Sequence, residues 1–209
     1  MVLFPDNVIL EDERALLRPL QESDLENLLS FALEEPEIWI YSFNSPAGKE
    51  GMEQYIRDTL AQRSARREYA FIVYDKVLAA YAGCTRFYDI NLAFGTAQLG
   101  YTWYGKRFQR TGLNRHCKLL MLDFAFGKWG LQRVEFRADV KNARSIRAMK
   151  DIGCVEEGVL RSLGPSQLGG RRDSIVLSIL LEEWLGGAKK NLQSKIYPET
   201  EGSYAKKEM

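Results

Sequence analysis

Histidine occurs once in the 209 residues, at His116, and cysteine three times, at Cys84, Cys117 and Cys154. One histidine and three distant thiols, each among apolar neighbours, supply neither a zinc-site spacing nor a disulfide framework. The cysteines therefore read as small buried hydrophobes, and no metal centre is expected. An excess of one charge is missing too: 29 Lys and Arg against 28 Asp and Glu leave a net charge of +1. That excludes a globally basic nucleic-acid surface, so any polyanion must be met by a local cluster. No apolar run approaches the ~20 residues that span a bilayer. The opening residues, Met1-Val2-Leu3-Phe4-Pro5-Asp6, lack the charged and apolar regions of a secretory signal. A soluble, cytoplasmic chain is the expectation. Hydrophobic content of 45% with 27% charged residues is ordinary globular composition, sufficient for one domain with a proper core.

What is present centres on Gln109-Arg110-Thr111-Gly112-Leu113-Asn114. The segment before it, Ala97 to Tyr104, is aromatic and β-prone. After it, Leu113, Cys117, Leu120, Met121 and Phe124 form one apolar stripe at helical spacing. A loop feeding a helix start leaves backbone N–H groups without intrahelical partners, and the helix dipole adds partial positive charge. Such a place suits a phosphate or pyrophosphate. Lys106, Arg107, Arg110, Arg115 and Lys118 crowd the same stretch, and His116 lies beside this basic face. A solvated basic helix end is the plainer reading of the same residues. Gly100, Gly105 and Lys106 mimic the spacing of a nucleotide-binding P-loop. Arg107 stands where that motif needs a hydroxyl for Mg²⁺, and Tyr101-Thr102-Trp103-Tyr104 is a strand former.

Elsewhere the order is mixed α and β. Leu16 to Leu20 predicts a strand, and Ser23-x-x-Glu26 predicts a capping box opening a helix that runs to about Glu34. A second helix is expected over Lys49 to Ser64. Tyr69–Tyr74 and Val77–Phe87 predict a hairpin turning at Asp75-Lys76. Arg133 to Ala138 alternates wet and dry faces and completes a βαβ-like unit with the loop and its helix. A short helix from Asn142 to Ile152 ends at Gly153, a good residue to follow a helix. Two strands, Cys154–Leu163 and Ser174–Leu181, finish the core. Beyond Trp184 the composition turns polar, giving a domain over residues 8–184 and a tail, or one appended helix, over 185–209.

With these landmarks in view, the chain resembles the GNAT superfamily of N-acetyltransferases, in the branch of the ribosomal-protein (RimJ/RimL-like) enzymes. The superfamily's pyrophosphate loop reads Gln/Arg-x-x-Gly-x-Gly/Ala, which Gln109 to Asn114 matches, with Asn114 in place of the usual small residue. The likeness continues through Gly130 to Glu135, Asn142 to Ser145, Gly153 to Gly158, Arg172 to Ser174 and Glu182 to Trp184. It implies a single α/β (α+β) domain with a mixed, largely antiparallel central sheet flanked by helices. It further implies acetyl-CoA as cosubstrate, a primary-amine acceptor that could be a protein N-terminus or a small amine, and direct attack without a covalent enzyme intermediate.

The same resemblance assigns roles. Gln109, Arg110, Thr111, Gly112, Leu113 and Asn114 would hold the pyrophosphate. The backbone of Trp103 and Tyr104 would receive the pantetheine arm, inserted like an extra strand. Asn142 and Ser145 would touch the cofactor. Met149 stands where many members carry a Tyr that protonates the departing thiolate, so Ser145 is the candidate for assisting the sulfur. The carboxylate base of some relatives falls near Gly164 and is missing, leaving Asp173, then Glu157, or proton loss through water. A catalytically silent acyl-CoA sensor, and more weakly an RNA-associated protein, are the alternatives. Direct nucleic-acid binding and membrane contact are not expected, and a homodimer is left open.

Overall fold

The computed structural model describes residues 7–198. Eight strands form one sheet in the order β1-β2-β3-β4-β5-β6-β8-β7. They are β1 (Leu10–Glu11), β2 (Ala15–Pro19), β3 (Tyr69–Asp75), β4 (Ala80–Asn91), β5 (Thr96–Tyr104), β6 (Arg133–Asp139), β7 (Val155–Pro165) and β8 (Arg171–Leu180). Only β5 and β6 pair in parallel; every other neighbouring pair is antiparallel. Helices α1 (Leu25–Glu34), α2 (Gly48–Ser64), α3 (Leu113–Gly127), α4 (Ala143–Asp151), α5 (Leu181–Glu183) and α6 (Lys189–Ile196) surround the sheet. This is the single α/β domain with a mixed, largely antiparallel sheet that the sequence implies. Among the described residues, no helix is long and apolar enough to cross a membrane.

Local chemistry departs from expectation in three places. The turn into α1 is stapled by Asp24, not by Ser23 and Glu26. Its carboxylate accepts from the Gln21 amide at 2.9 Å and from Arg18 at 2.6 and 2.8 Å, so a short 3₁₀ turn precedes the helix. The β3–β4 turn is longer than Asp75-Lys76: β4 begins at Ala80, and Asp75 Oδ1 accepts the amides of Val77 and Leu78. Helix α3 is buried on more than the one stripe, because α6 and strands β1 and β2 pack against it as well as β6. His116, Lys118, Leu119 and Leu122 are buried along with Leu113, Cys117 and Met121, while Leu120 and Phe124 are half-buried, so Lys118 leaves the basic face that the sequence suggests. Part of the polar tail is also structured: α6 buries Leu192, and Lys195 bonds Asp151 at 2.9 Å. Residues 199–209 lie outside the described part.

The sheet's central feature is a divergence. β5 pairs with β6 only from Thr96↔Arg133 to Gln98↔Glu135. From there β5 stays with β4 as far as Tyr104, while β6 stays with β8 as far as Asp139. The two halves of the sheet therefore part at Gln98, and among the described residues the rest of β5 has no strand on its β6 side. A bulge lies within this free stretch. Cys84↔Trp103 and Arg86↔Gly100 put an extra residue on β5, and Tyr101 adopts a left-handed φ of 48°. β4 meets the bulge with Gly83, where an added Cβ would lie 2.0 Å from the Trp103 carbonyl oxygen. Trp103 fixes the strand on the other side. Its indole is edge-on to Phe31, Trp39 and Tyr55 at centroid distances of 5.6, 5.0 and 6.4 Å, an arrangement that adds to simple burial.

Candidate active site

The loop leaving β5 begins with a 3₁₀ turn, Lys106–Phe108, and is tied back to the strand. The Gln109 side chain donates to the Tyr104 carbonyl at 2.8 Å and accepts from Arg144 of α4, so one residue joins β5, the loop and α4. Thr111 Oγ1 donates to the Phe108 carbonyl at 2.8 Å, which closes the loop on itself. Arg110 (φ 61°) and Gly112 (φ 92°) are both left-handed, the backbone pattern by which loops present successive N–H groups to an anion. Gly112 is the residue before α3 and carries no side-chain cap. An added Cβ at Gly112 would meet only the Arg14 guanidinium, 3.9 Å away, so the space over this backbone is open. The loop thus has the room and the helix dipole that a pyrophosphate needs, with only a long 3.4 Å bond from the Leu113 amide to Thr111 Oγ1 across the helix start.

The five cations of this stretch do not act as one cluster. Lys106 is ion-paired with Glu37, Arg107 lies 4.5 Å over the Phe108 ring, and Arg115 bonds Asp151 at 2.9 Å. Lys118 points inward and is buried. Arg110 is exposed within Gln109–Asn114 itself, as Lys106 and Arg107 are just before it. A cation that the sequence did not single out takes their place: Arg14, just before β2, is held beside Gly112 by Asp75 at 3.1 Å. Nothing in the local pattern around Arg14 signals this, since only the fold brings residues 14 and 112 together.

Across the divergence, Asn142 caps α4 by accepting the Ser145 amide at 3.1 Å, an interaction of about 1 kcal/mol. Ser145 is half-buried, and Met149 is buried one turn on. The Gln109–Arg144 bond brings the start of α4 against the loop, so the predicted cofactor residues converge on one seam. Trp103 and Tyr104 contribute through their backbone, since both side chains are buried. Asp173 sits on β8 with Oδ1 accepting the Ser162 amide at 2.6 Å, where β7 is irregular. Glu157 is paired with Arg133 and accepts from Ser178 at 2.6 Å; Arg133 holds its carboxyl below the usual range.

On the opposite side of β5 from α3, the bulge carries an aromatic and ionic patch. Arg86 bonds Glu68 at 2.5 Å and lies between the rings of Tyr55 and Tyr101, 4.9 and 4.5 Å from their centroids. Glu135 accepts from both Arg133 and Arg137, and Asp89 accepts from Gln98 at 2.9 Å. Each of these carboxylates already has a partner. His116 is spent as well, its Nδ1 2.8 Å from Asp12 Oδ2. Glu13 lies close to the pair, but Asp12 Oδ1 already accepts the amides of Arg14 and Ala15, so the group reads as a turn staple. The three cysteines are buried as expected, and burial pushes each thiol up to about 12.

A strand that parts from its parallel neighbour, followed by a left-handed glycine loop at a helix start, coincides with a family match. The profile of the acetyltransferase (GNAT) domain matches residues 14–155. The chain belongs to the GNAT acetyltransferase family. It is 26% identical over 185 residues to YdaF of Bacillus subtilis (strain 168), provisionally named a ribosomal N-acetyltransferase, covering 84% of this chain and 96% of that one. Among solved structures, a GCN5-related N-acetyltransferase from Brucella melitensis superposes with a TM-score of 0.85 at 23% identity, covering 98% and 92% of the two chains. Mycobacterium smegmatis RimJ, solved in complex with CoA-disulfide, superposes at 0.77 with 18% identity over 90% and 93%. At these identities the structural likeness is one of fold. This GNAT protein is an acetyl-CoA-dependent acetyltransferase.

Proposed function

We propose that this acetyltransferase moves the acetyl group onto an α-amine, a protein N-terminus or a small amine, by direct attack of the amine nitrogen on the thioester carbon. The observation that carries the reading is the seam between β5 and β6 with the Gln109–Asn114 loop at its open end. In this reading the amides of Arg110 to Asn114, with Arg14 and Arg110, hold the pyrophosphate. The unpaired edge of β5 toward Trp103 and Tyr104 supplies strand-like hydrogen bonds to the pantetheine amides. Asn142 and Ser145 border the sulfur, where the Ser145 hydroxyl donates a hydrogen bond. The three thiols are buried with raised pKa values, which favours direct attack over an acyl-cysteine. The name of YdaF, a ribosomal N-acetyltransferase, supports an amine on a ribosomal protein as the first acceptor to try.

The preference for an α-amine follows from proton bookkeeping at the bulge. Glu68, Asp89 and Glu135 are each engaged, so none is left as an uncommitted base. An α-amine near pKa ~8 is roughly one-tenth neutral at pH 7, whereas a lysine near ~10.4 is almost wholly protonated. Proton loss to water then suffices for the former. Asp173, with one oxygen free of the Ser162 amide, is the carboxylate reserved for this role if a base is used. A homodimer would use the edge strand β7, where Val155, Val159, Leu160 and Leu163 are exposed.

The test sets lysine-free peptides with a free N-terminus against N-blocked peptides carrying one lysine. The free N-terminus is expected to react faster at neutral pH, with a rate that climbs as pH approaches ~8. Faster acetylation of the blocked lysine peptide would overturn the α-amine preference and make Asp173→Asn the next variant. Release of no CoA with any acceptor would instead favour a silent sensor.

A further inference from the structure

Lys118 stands in the second turn of α3, five residues into the helix that the pyrophosphate loop opens, and is only 5% exposed. Its Nζ lies 2.9 Å from Thr102 Oγ1 and 3.3 Å from Thr85 Oγ1, and the two hydroxyls are 2.8 Å from each other. An ammonium has three donors, so one N–H is left over. Among the described residues no carboxylate lies within ion-pair distance of Nζ, unlike the half-buried Arg18 and the buried Arg86 and Arg172. Arg18 has Asp24 at 2.6 Å, Arg86 has Glu68 at 2.5 Å, and Arg172 has Asp139 at 3.9 Å. A buried cation facing only neutral groups is costly to the folded protein unless some other state supplies the counter-charge.

Its place in the fold says which state that is. Thr102 follows the bulge residue Tyr101 and lies beyond Gln98, the last residue of β5 that pairs with β6. The ammonium is therefore anchored at the bulge, on the α3 side of the seam, and not at the phosphate end with Arg14 and Arg110. An extended arm leaving the loop and running back along β5 from Tyr104 reaches Thr102 two residues later, roughly 7 Å at strand rise. We propose that Lys118 is the cation that stabilises the departing thiolate, its remaining N–H directed at the sulfur when the arm occupies the seam. The proposal rests on the acetyl-CoA reading of the seam and deepens it. As the amine nitrogen closes its bond to the carbonyl carbon, the C–S bond breaks and its electron pair moves to sulfur. The extra proton on nitrogen passes to water, and Lys118 keeps its own proton throughout. Ser145 supplies a neutral hydrogen bond to the same atom, whereas Lys118 supplies charge, which is worth more in a site shielded from water.

The groups facing Nζ set its pH range. These are the hydroxyls of Thr85 and Thr102, the thiol of Cys117 on its own helix, and the thiol of Cys154 after α4. Burial pushes the Lys118 ammonium down from 10.5 to about 8, while both thiols stay neutral because burial pushes them up to about 12. The cation is thus present below about 8 and lost above it.

The experiment titrates the thiol of free CoA bound to the protein, by thiolate ultraviolet absorbance against CoA-free protein. The protein's own buried thiols are silent over that range. In the wild type the bound thiol should titrate below free CoA. In Lys118→Met it should titrate at least about one unit higher than in the wild type, with CoA affinity at pH 6.5 (~) changed less than about threefold, since the phosphate cradle is untouched. Under turnover, the wild-type fall in kcat/KM above about 8 should vanish in Lys118→Met, and kcat should drop ~10²-fold. If the Met variant fails to fold, Thr102→Val, which removes the nearer anchor, should raise the thiol titration in the same direction. A bound thiol indifferent to both substitutions overturns the Lys118 proposal alone. Failure of CoA to bind the wild type overturns the cofactor reading and this proposal with it.

Discussion

Two parts of the sheet treat buried positive charge differently: the arginines near α1 and α2, and Lys118 beneath α3. Toward α1, α2 and the segment that joins them, three arginines each have a carboxylate: Asp24 for Arg18, Glu68 for Arg86, Asp139 for Arg172. Aromatic rings then cover the guanidinium groups, Tyr81 at 5.2 Å from Arg18 and Phe43 at 4.1 Å from Arg172. Toward α3, Lys118 has two hydroxyls and no acid. The arginine pairs are self-contained and hold chain segments in place. The lysine is incomplete in the free protein, and it lies where the sheet opens. Charge that is neutralised within the fold shapes the site, and charge left over is available to the reaction.

Breaking a self-contained pair should have the largest effect. Asp24→Asn replaces one of the two oxygens that accept from Arg18, the Gln21 amide and Asn27 with a donor, and leaves the Arg18 cation without its counter-charge. A loss of about 3–5 kcal/mol is expected, read as a lower denaturant midpoint with unchanged slope. The pH dependence has a definite sign. Burial alone would raise the Asp24 carboxyl, but bonds from Arg18, Gln21 and Asn27 outweigh it and lower the value below 3.8. The stabilisation is therefore full above the unfolded carboxylate range near ~4 and is lost as pH falls through the lower folded value. A variant as stable as wild type at pH 7 would show that pairing is not what distinguishes the two sides.

A smaller effect should come from the neutral donor at the seam. Ser145→Ala is expected to lower kcat by ~10²-fold, equivalent to about 2.7 kcal/mol, while acetyl-CoA affinity stays nearly constant. The Asn142 side chain caps the Ser145 amide, not its hydroxyl, so α4 should remain capped in the variant. Equal losses in affinity and turnover would mean that Ser145 supports the helix and does not assist the sulfur.

Periodicity and short motifs made much of this legible in advance. The strands flanking the loop, the helix after it and the capped start of α4 are local features, encoded within a few residues of where they act. The loop's form was readable for the same reason: a left-handed Gly112 before a helix is a property of adjacent residues. What escaped depended on distant partners. Arg14 reaches Gly112 only because β2 packs beside α3. Lys118 looked like one of five solvated cations until the packing of α3 on the sheet turned it toward Thr85 and Thr102. Asp24 displaced Ser23 as the staple of α1 because Arg18, on a neighbouring strand, made its carboxylate worth burying. The divergence of β5 from β6 is a matter of register, which no single segment carries, and only the family resemblance implied it in advance.

The central claim is that the Gln109–Asn114 loop and the adjoining seam hold acetyl-CoA. Titration calorimetry of acetyl-CoA into the wild type and Gly112→Asp tests it most directly. The wild type should bind one equivalent, and at ~100 times the dissociation constant the ligand should add about 2.7 kcal/mol of stability. Gly112→Asp puts a carboxylate into the open space over the loop, at a left-handed φ of 92°, and should abolish the heat. Equal affinity in the two proteins, or no heat from the wild type at millimolar ligand, would contradict the account.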